Sequence, residues 1–480
     1  MRDVLDSPGW QTMYTDGGPE SPYDLVFGLY TDDFRMYGMK IAGKTAKCGL
    51  IALYCMNLPP HLRYEPENIF IVAIVPGPSA PDSETISEVL GPIVRDLQTF
   101  TDGKILPTHM FPEGIRVRIR IAPVIADSPA RALYTGFTGH SATYPCGFCT
   151  VHMDDIDKVD PPAWATRDGH QVRFQALVWK GKRSPKARED EVKKNGVRWT
   201  SLHSLAYWDP VKHVVLGVMH NWLEGILEDQ LRDLWGIGRS AAKENAMKTA
   251  LAEENEEESF TDDDVRDSAS ELEGLEMDNS TLSRLRPRRI RRRSSPTPPA
   301  SVQSSQNEPS VPSTRYVTLP TWVGRPPVNL GEASHGSLKA NDYLVLFSFI
   351  LPLVVPEFWQ GGSSYLSQDA SEVSRRSFEN VVICTNIVCS FKTSNAEADL
   401  YTDRYKRYRR SIGQLYPMWN TKPNHHYAMH NGDIMKFWGP LPPLSEFSGE
   451  RMNGTLQDIN TNKKIRDMEF TMLRQMVRRG

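Results

Sequence analysis

The 480-residue chain is poor in the features that would classify it at a glance. Six cysteines (Cys48, Cys55, Cys146, Cys149, Cys384 and Cys389) are too few for a disulfide scaffold, and the usage suits a reducing compartment. Met1 to Tyr14 is polar and lacks the long apolar core of a signal peptide. The stretch nearest to a membrane span, Tyr343 to Pro356 (YLVLFSFILPLVVP), is 14 residues long and contains Pro352 and Pro356. A span needs about 20 apolar residues, so this reads as a buried helix ending at proline, and no membrane partner is expected. Charge of one sign is also missing: 56 Lys and Arg face 59 Asp and Glu, for a net charge of −3. A nucleic-acid surface would therefore have to be local. No internal repeat stands out. What is there is ordinary for a soluble protein, 39% hydrophobic and 24% charged, in a chain long enough for roughly two to four domains.

The first 130 residues alternate apolar runs with turn signals. Asp24 to Tyr30, Cys48 to Leu58 and Asn68 to Val75 read as strands. Ser83 to Phe100 has helical spacing, with Ile86, Val89, Leu90, Ile93, Val94 and Leu97 on one face and Ser83 as the expected N-cap. Ile115 to Ile125 is a fourth strand, whose first part alternates Arg with apolar residues. The first and fourth strands run directly into Asp32 and Asp127. Strand, strand, strand, helix, strand, with acids at those two ends, predicts an α/β class, RNase H-like core. In that fold the two strands lie side by side and parallel.

From Ser240 to about Ser313 the composition shifts to an acidic block (Glu253 to Asp264), a basic block (Arg284 to Arg293) and Ser/Pro/Thr/Gln-rich sequence. Hydrophobic content there is too low to offset ordering entropy, which predicts disorder. The basic block suits a nuclear-import signal or a DNA-binding arm, or a merely soluble tether. Val211 to Trp235, Asp342 to Thr393, Ala396 to Leu415 and Glu450 to Val477 read as mainly helical.

Three sets of residues carry chemistry. Phosphodiester cleavage by two divalent ions about 4 Å apart needs converging carboxylates, and hard oxygen ligands suit Mg²⁺ or Mn²⁺. Asp32 and Asp127 are the strand-end acids, and Glu450, on a helix in FSGERMNG, is the expected third. Cys146-Gly147-Phe148-Cys149 is a CxxC, and His425 and His430, or His426 and His430, are spaced to complete a structural Zn²⁺ site. The unassuming alternative is a free buried CxxC with core or surface histidines. His220 reads either as a satisfied core histidine or as a contact near a cleaved DNA end, and Trp222 as buried. Arg404, Lys406, Arg407, Arg409 and Arg410 interleave with Tyr401, Tyr405 and Tyr408, which suits DNA-backbone contact or a solvated helix face.

With those residues in hand, the sequence resembles the Tnp2-type transposases of CACTA-like elements in the form found in fungal genomes. The stretches that carry the resemblance are YTDDFRMYGMKIAGK, NLPPHLRYEPENIFIVAIVPGPSAP, PVIADSPARALYTGFTGHSATYPCGFC, VVLGVMHNWLEGIL, WVGRPPVNLGEASHGSLKANDY, NHHYAMH and FWGPLPPLSEFSGERMNG, which together run through most of the chain outside the acidic and basic blocks. The resemblance implies a DDE-type DNA transposase of the nucleus, with a large helical insertion interrupting its RNase H-like core. Asp32, Asp127 and Glu450 match the three acids. Cutting and joining element ends to target DNA implies a homo-oligomer when active. The CxxC and the histidines before Glu450 also resemble the V(D)J recombinase catalytic subunit, which implies zinc on Cys146, Cys149, His425 and His430. The expected layout is 1–150 for the first part of the core, 151–239 and 314–420 for the insertion, 240–313 for a linker, and 421–480 for the histidine segment and last catalytic helix. The chain starts close to the first catalytic strand and stops roughly thirty residues past Glu450, which suggests a shortened copy. The alternative is a degenerate or co-opted transposase that binds DNA or protein without cutting.

Overall fold

The computed structural model describes residues 1–14, 19–41, 44–77, 81–160, 164–237, 317–321, 323–327, 330, 338–360, 368–461 and 467–479. The chain divides into two units, Met1–Gly236 with Val317–Pro327 and Ser337–Gly480, and Ile237–Tyr316 with Val328–Gly336. The second unit, and with it the expected disordered segment and its basic block, lies almost wholly outside the described residues.

The first unit is mixed α/β, built on one five-stranded sheet flanked by helices. Its strands are β1 (Asp24–Ile41), β2 (Lys44–Cys55), β3 (Ile69–Val75), β4 (Lys104–Leu106) and β5 (Ile115–Ala126), in the order β3-β2-β1-β5-β4. β1 and β5 are parallel neighbours, and every other pair is antiparallel. The four expected strands are present, but the first hairpin is longer than expected. β1 pairs with β2 from Phe27↔Cys55 to Ile41↔Lys44, whereas its pairing with β5 ends at Thr31↔Ala126. Asp32 therefore sits inside β1, at the residue where the β5 partner runs out. Val26, Leu29, Leu50, Ile51, Ile121 and Ile125 are all buried around this centre.

Between β3 and β4 runs α1 (Thr85–Thr99), which buries Ile86, Leu90, Val94 and Leu97. Asp82, not Ser83, caps its start, since Asp82 Oδ1 accepts from the amides of Glu84 (3.0 Å) and Thr85 (2.7 Å). α2 (Ser128–Thr135) follows β5 directly, and α3 (Gly169–Gly181) and α4 (Pro185–Asn195) form a helical pair.

The expected helix over 211–235 starts later. Val214 instead bridges Val124 of β5 in parallel, and the amide of Val215 donates to Val124 O (3.2 Å). The helix, α5 (Val218–Leu227), is of the widened π type and is prolonged by Asp229–Leu234. α6 (Ala340–Val345) runs on through Leu346–Ile350 and Leu351–Gln360, with Pro356 inside the helix instead of ending it. No helix among the described residues is long and apolar enough to cross a membrane.

α7 (Gln368–Val388) and α8 (Asn395–Leu415) pack together. α9 (Pro423–Tyr427) and α10 (Asn431–Trp438) follow, and the expected final helix is two, α11 (Phe447–Gln457) and α12 (Met468–Arg479). α11 packs on β1 and α12 on β3.

Candidate active site and metal centre

Thr31 and Ala126 are the last paired residues of two parallel strands, so Asp32 and Asp127 each follow directly on neighbouring strand ends. Asp127 is the N-cap of α2, its Oδ1 accepting from the Ala130 amide (2.7 Å). Asp32 is buried and held on both oxygens: Oδ1 accepts from its neighbour's amide (Asp33, 2.8 Å), Oδ2 from Tyr30 Oη (3.1 Å) and Asn453 Nδ2 (2.8 Å).

Asn453 belongs to α11, and so does Glu450. The helix comes this close because residue 449 is glycine: a Cβ there would collide with the ring of Tyr30. Glu450, in the first turn of α11, is within hydrogen-bonding reach of Asp32. Burial first, then Glu450 and Asp127, push the Asp32 carboxyl up to about 8. Glu450 moves down, drawn chiefly by its hydrogen bond to His220.

His220 lies on α5, with Nε2 3.5 Å from Glu450 Oε1 and Nδ1 3.1 Å from Glu224 Oε2. Burial disfavours its charge, but the hydrogen bonds to Glu224 and Glu450 and the nearby Glu446 raise it to about 11. Glu446, one turn before Glu450, is a fourth acid. It is buried beside Gly217, where a Cβ would collide with its carboxyl group, and burial pushes it up to about 7. Its Oε2 has no hydrogen-bond partner.

Sequence reasoning singles out neither Glu446 nor Glu224. The i,i+4 spacings of Glu446 to Glu450 and His220 to Glu224 are the available signal. Carboxylate oxygens are hard donors of the kind that divalent cations such as Mg²⁺ take. A cleft of about 390 Å³, lined among others by Tyr64, Val218 of α5, Phe391, Pro443 and Phe447 of α11, has none of these acids in its wall.

The second centre is tighter. Cys146, Cys149, His426 and His430 are all buried, and their ligand atoms lie within 4.8 Å of one another. No other such group of His, Cys, Asp or Glu occurs among the described residues, so the acids around Asp32 do not converge this closely. Cys149 Sγ is 3.1 Å from His426 Nε2, and Cys146 Sγ is 3.5 Å from His430 Nε2. Tetrahedral zinc, with bonds of about 2.3 Å to sulfur and 2.0 Å to nitrogen, sets ligand atoms about 3.5 Å apart.

The thiols are buried, which opposes their ionisation. Cys149 and the two histidines nonetheless draw Cys146 well below the usual thiol range, while burial and Cys146 push Cys149 up. The Phe148 amide donates to Cys146 Sγ (3.4 Å), and Arg167 Nε braces the carbonyls of Cys146 (3.0 Å) and Cys149 (2.9 Å). This buried Cys₂His₂ group can bind a metal such as zinc, and it joins the loop after α2 to the segment α9–α10.

His425, expected among the ligands, is not one of them. On a helical run residues 426 and 430 share a face, whereas 425 is turned about 140° from 430. The ring of His425 is fully buried near Tyr408 and Trp419, its Nε2 3.3 Å from Asp229 Oδ2.

In α8 the structure turns Arg409 and the interleaved tyrosines inward, away from any DNA-contact surface. Tyr401, Tyr405 and Tyr408 are wholly buried, with hydroxyls donating to Ala428 O (2.9 Å), His425 O (2.9 Å) and Gln230 Oε1 (2.7 Å). They stack in the core against Trp222 and one another, which leaves none for bases. Trp222 is buried as expected, donating to Thr385 Oγ1 (3.1 Å).

Arg409 is buried too, tying His425 O (2.6 Å) to Ile156 O (3.0 Å). Arg407 and Arg410 are exposed but paired with Asp403 (3.0 Å) and Asp160 (2.5 Å). Arg404 and Lys406 are half-buried. His220, read either as a core histidine or as a contact near a DNA end, is placed against Glu450. Compared with protein-family models and with curated proteins, the chain matches none.

Proposed function

We propose that this chain is a DDE-type DNA transposase of the CACTA-like kind, a nuclear polynucleotidyl transferase with an RNase H-like core that works as a homo-oligomer on transposon ends and target DNA. The observation that carries this reading is the cluster of Asp32, Asp127 and Glu450. Two parallel strand ends and one helix, from segments more than 300 residues apart in sequence, deliver one acid each to the same place.

Bound Mg²⁺ or Mn²⁺ supplies activation of the attacking water or 3′-hydroxyl and stabilisation of the leaving oxygen. The chain's own residues prepare that site. Tyr30 and Asn453 both donate to Asp32 Oδ2 and hold that carboxyl group, which would be one ligand of the cation. Zinc on Cys146, Cys149, His426 and His430 is structural, holding the region after Asp127 to the region before Glu450.

The looser convergence of the acids favours a second reading, a co-opted transposase that binds DNA or protein without cutting it. Mn²⁺-dependent nicking of duplex DNA separates the two. Asp127→Asn still caps α2, since Asn and Asp cap equally well, so the variant folds. Nicking by the wild type and its loss in Asp127→Asn is the expected result. Nicking that survives in the variant removes the catalytic assignment, and DNA binding without nicking by the wild type establishes the second reading.

A further inference from the structure

We infer that His220 is a positioning residue, clamped by Glu224 so that it holds the Glu450 carboxylate in the orientation that faces Asp32 and Asp127. The inference rests on the acid-cluster reading above and adds to it the residues that aim its most mobile member.

Glu450 is the acid with the most freedom. It has one more rotatable bond than either aspartate, and its side chain is 40% exposed. Free rotation would have to be given up on binding a cation. His220 is the partner that restrains it. The imidazole stands between two carboxylates, 3.1 Å from Glu224 and 3.5 Å from Glu450. One ring nitrogen faces each carboxylate, so the ring plane is set by two partners at once.

The backbone beneath the ring is fixed as well. α5 is widened over Val218–Leu227, a geometry often found at functional sites. Asn221 Nδ2, next to His220, donates to Asn424 O (3.1 Å), which ties α5 to α9. Gly217 admits Glu446, so the start of α5 interlocks with the start of α11. The clamp thus connects two helices whose spacing is already set. Outer partners that orient metal ligands commonly affect metal affinity 10- to 100-fold, as a general order of magnitude.

The test is Mn²⁺ binding to the full chain by calorimetry, since manganese prefers oxygen ligands and does not report on the thiolate centre. His220→Ala is expected to weaken binding by about 10- to 100-fold with an unchanged unfolding midpoint. His220→Gln alone is expected to recover little, because its amide oxygen meets the Glu224 carboxylate. His220→Gln with Glu224→Gln is expected to recover most of the affinity. In that double variant the amide at position 224 can donate to the amide oxygen at position 220, whose own NH₂ group donates to Glu450. A merely structural histidine gives no such rescue. Wild-type affinity in His220→Ala beside weakened binding in Glu450→Gln overturns the clamp and leaves the acid cluster standing. Wild-type affinity in Glu450→Gln overturns both. If His220→Ala does not fold, the contrast between His220→Gln and the double variant decides the matter.

Discussion

Gly449 and Gly454 lie on the same helix, and alanine at each should act in opposite directions. A Cβ at Gly454 meets nothing within 4 Å. Gly454→Ala therefore gains helix propensity, up to about 1 kcal/mol. At Gly449 the same methyl group lands on three atoms of the Tyr30 ring. That ring cannot retreat: Tyr30 is fully buried, its centroid is 5.8 Å from that of Tyr54, and Tyr54 is in turn packed edge-on against Tyr64 at 5.2 Å. Overpacking of this kind costs about 1–3 kcal/mol, occasionally more. The two variants should thus differ by about 1–4 kcal/mol, with Gly454→Ala the more stable.

Urea unfolding followed by tryptophan fluorescence reads the difference. The displacement has a second consequence, because Glu450 is the next residue and Asn453 bonds to Asp32. Pushing α11 off β1 withdraws both from the site, and a shift near 1 Å in a catalytic constellation can cost about 100-fold in rate. Mn²⁺ affinity should fall in Gly449→Ala and stay level in Gly454→Ala. Equal stability and equal affinity in the two variants would refute the packing of α11 against Tyr30 as the device that sets the site.

The Cys₂His₂ centre predicts one equivalent of zinc in the purified chain, lost in Cys149→Ser, and a lower unfolding midpoint after chelation. Elemental analysis of the two proteins checks this, and zinc retained in full by Cys149→Ser would sink it. Burial holds His203 and His213 near pKa 4, below the ordinary 6.5, and each Nδ1 accepts a backbone amide, from Thr200 and Asp209 respectively. The unfolded chain binds their protons first, so their contribution is complete above about pH 6.5 and is lost as pH falls toward 4, by up to roughly 3 kcal/mol each. Asp32 and Glu446, raised by burial, work in the opposite direction, gaining stability as pH falls. The measurement is therefore the wild type against His203→Gln: the wild type should lose more stability than the variant between pH 7 and pH 5, and parallel curves would refute the assignment.

The strands could be read from the sequence because each carries its own signal. Apolar runs bounded by Gly, Pro or Asn mark β2 and β3, and the Arg alternation marks β5. The same local logic put Asp32 and Asp127 together, since adjacent parallel strands need only end at the same level. The histidine choice failed for a reason that spacing alone could not resolve: five residues and four residues are both within reach of a tetrahedral site until the local helix is known. The basic–aromatic pattern of α8 misled because the two residue types were counted as one surface. Tyr401, Tyr405, Tyr408 and Ile412 follow i, i+4, i+7, i+11, the spacing of a core-facing stripe, and Arg409, next to Tyr408, is drawn in with them.

What no local pattern could show is how α5 and α11 reach the acids. Their approach depends on two missing side chains. Gly217 makes room for Glu446 and Gly449 makes room for Tyr30, and neither glycine has a turn or a positive φ to advertise it. Gly449 lies inside a helix, where glycine costs stability in isolation, and Gly217 stands just before one; each is explained by the partner it admits. Those partners lie far away in sequence, at 446 and 30. The acid cluster is therefore specified partly by close contacts across the fold, and a sequence reading that weighs only the charged residues recovers the acids without the helix packing that brings Glu450 to them.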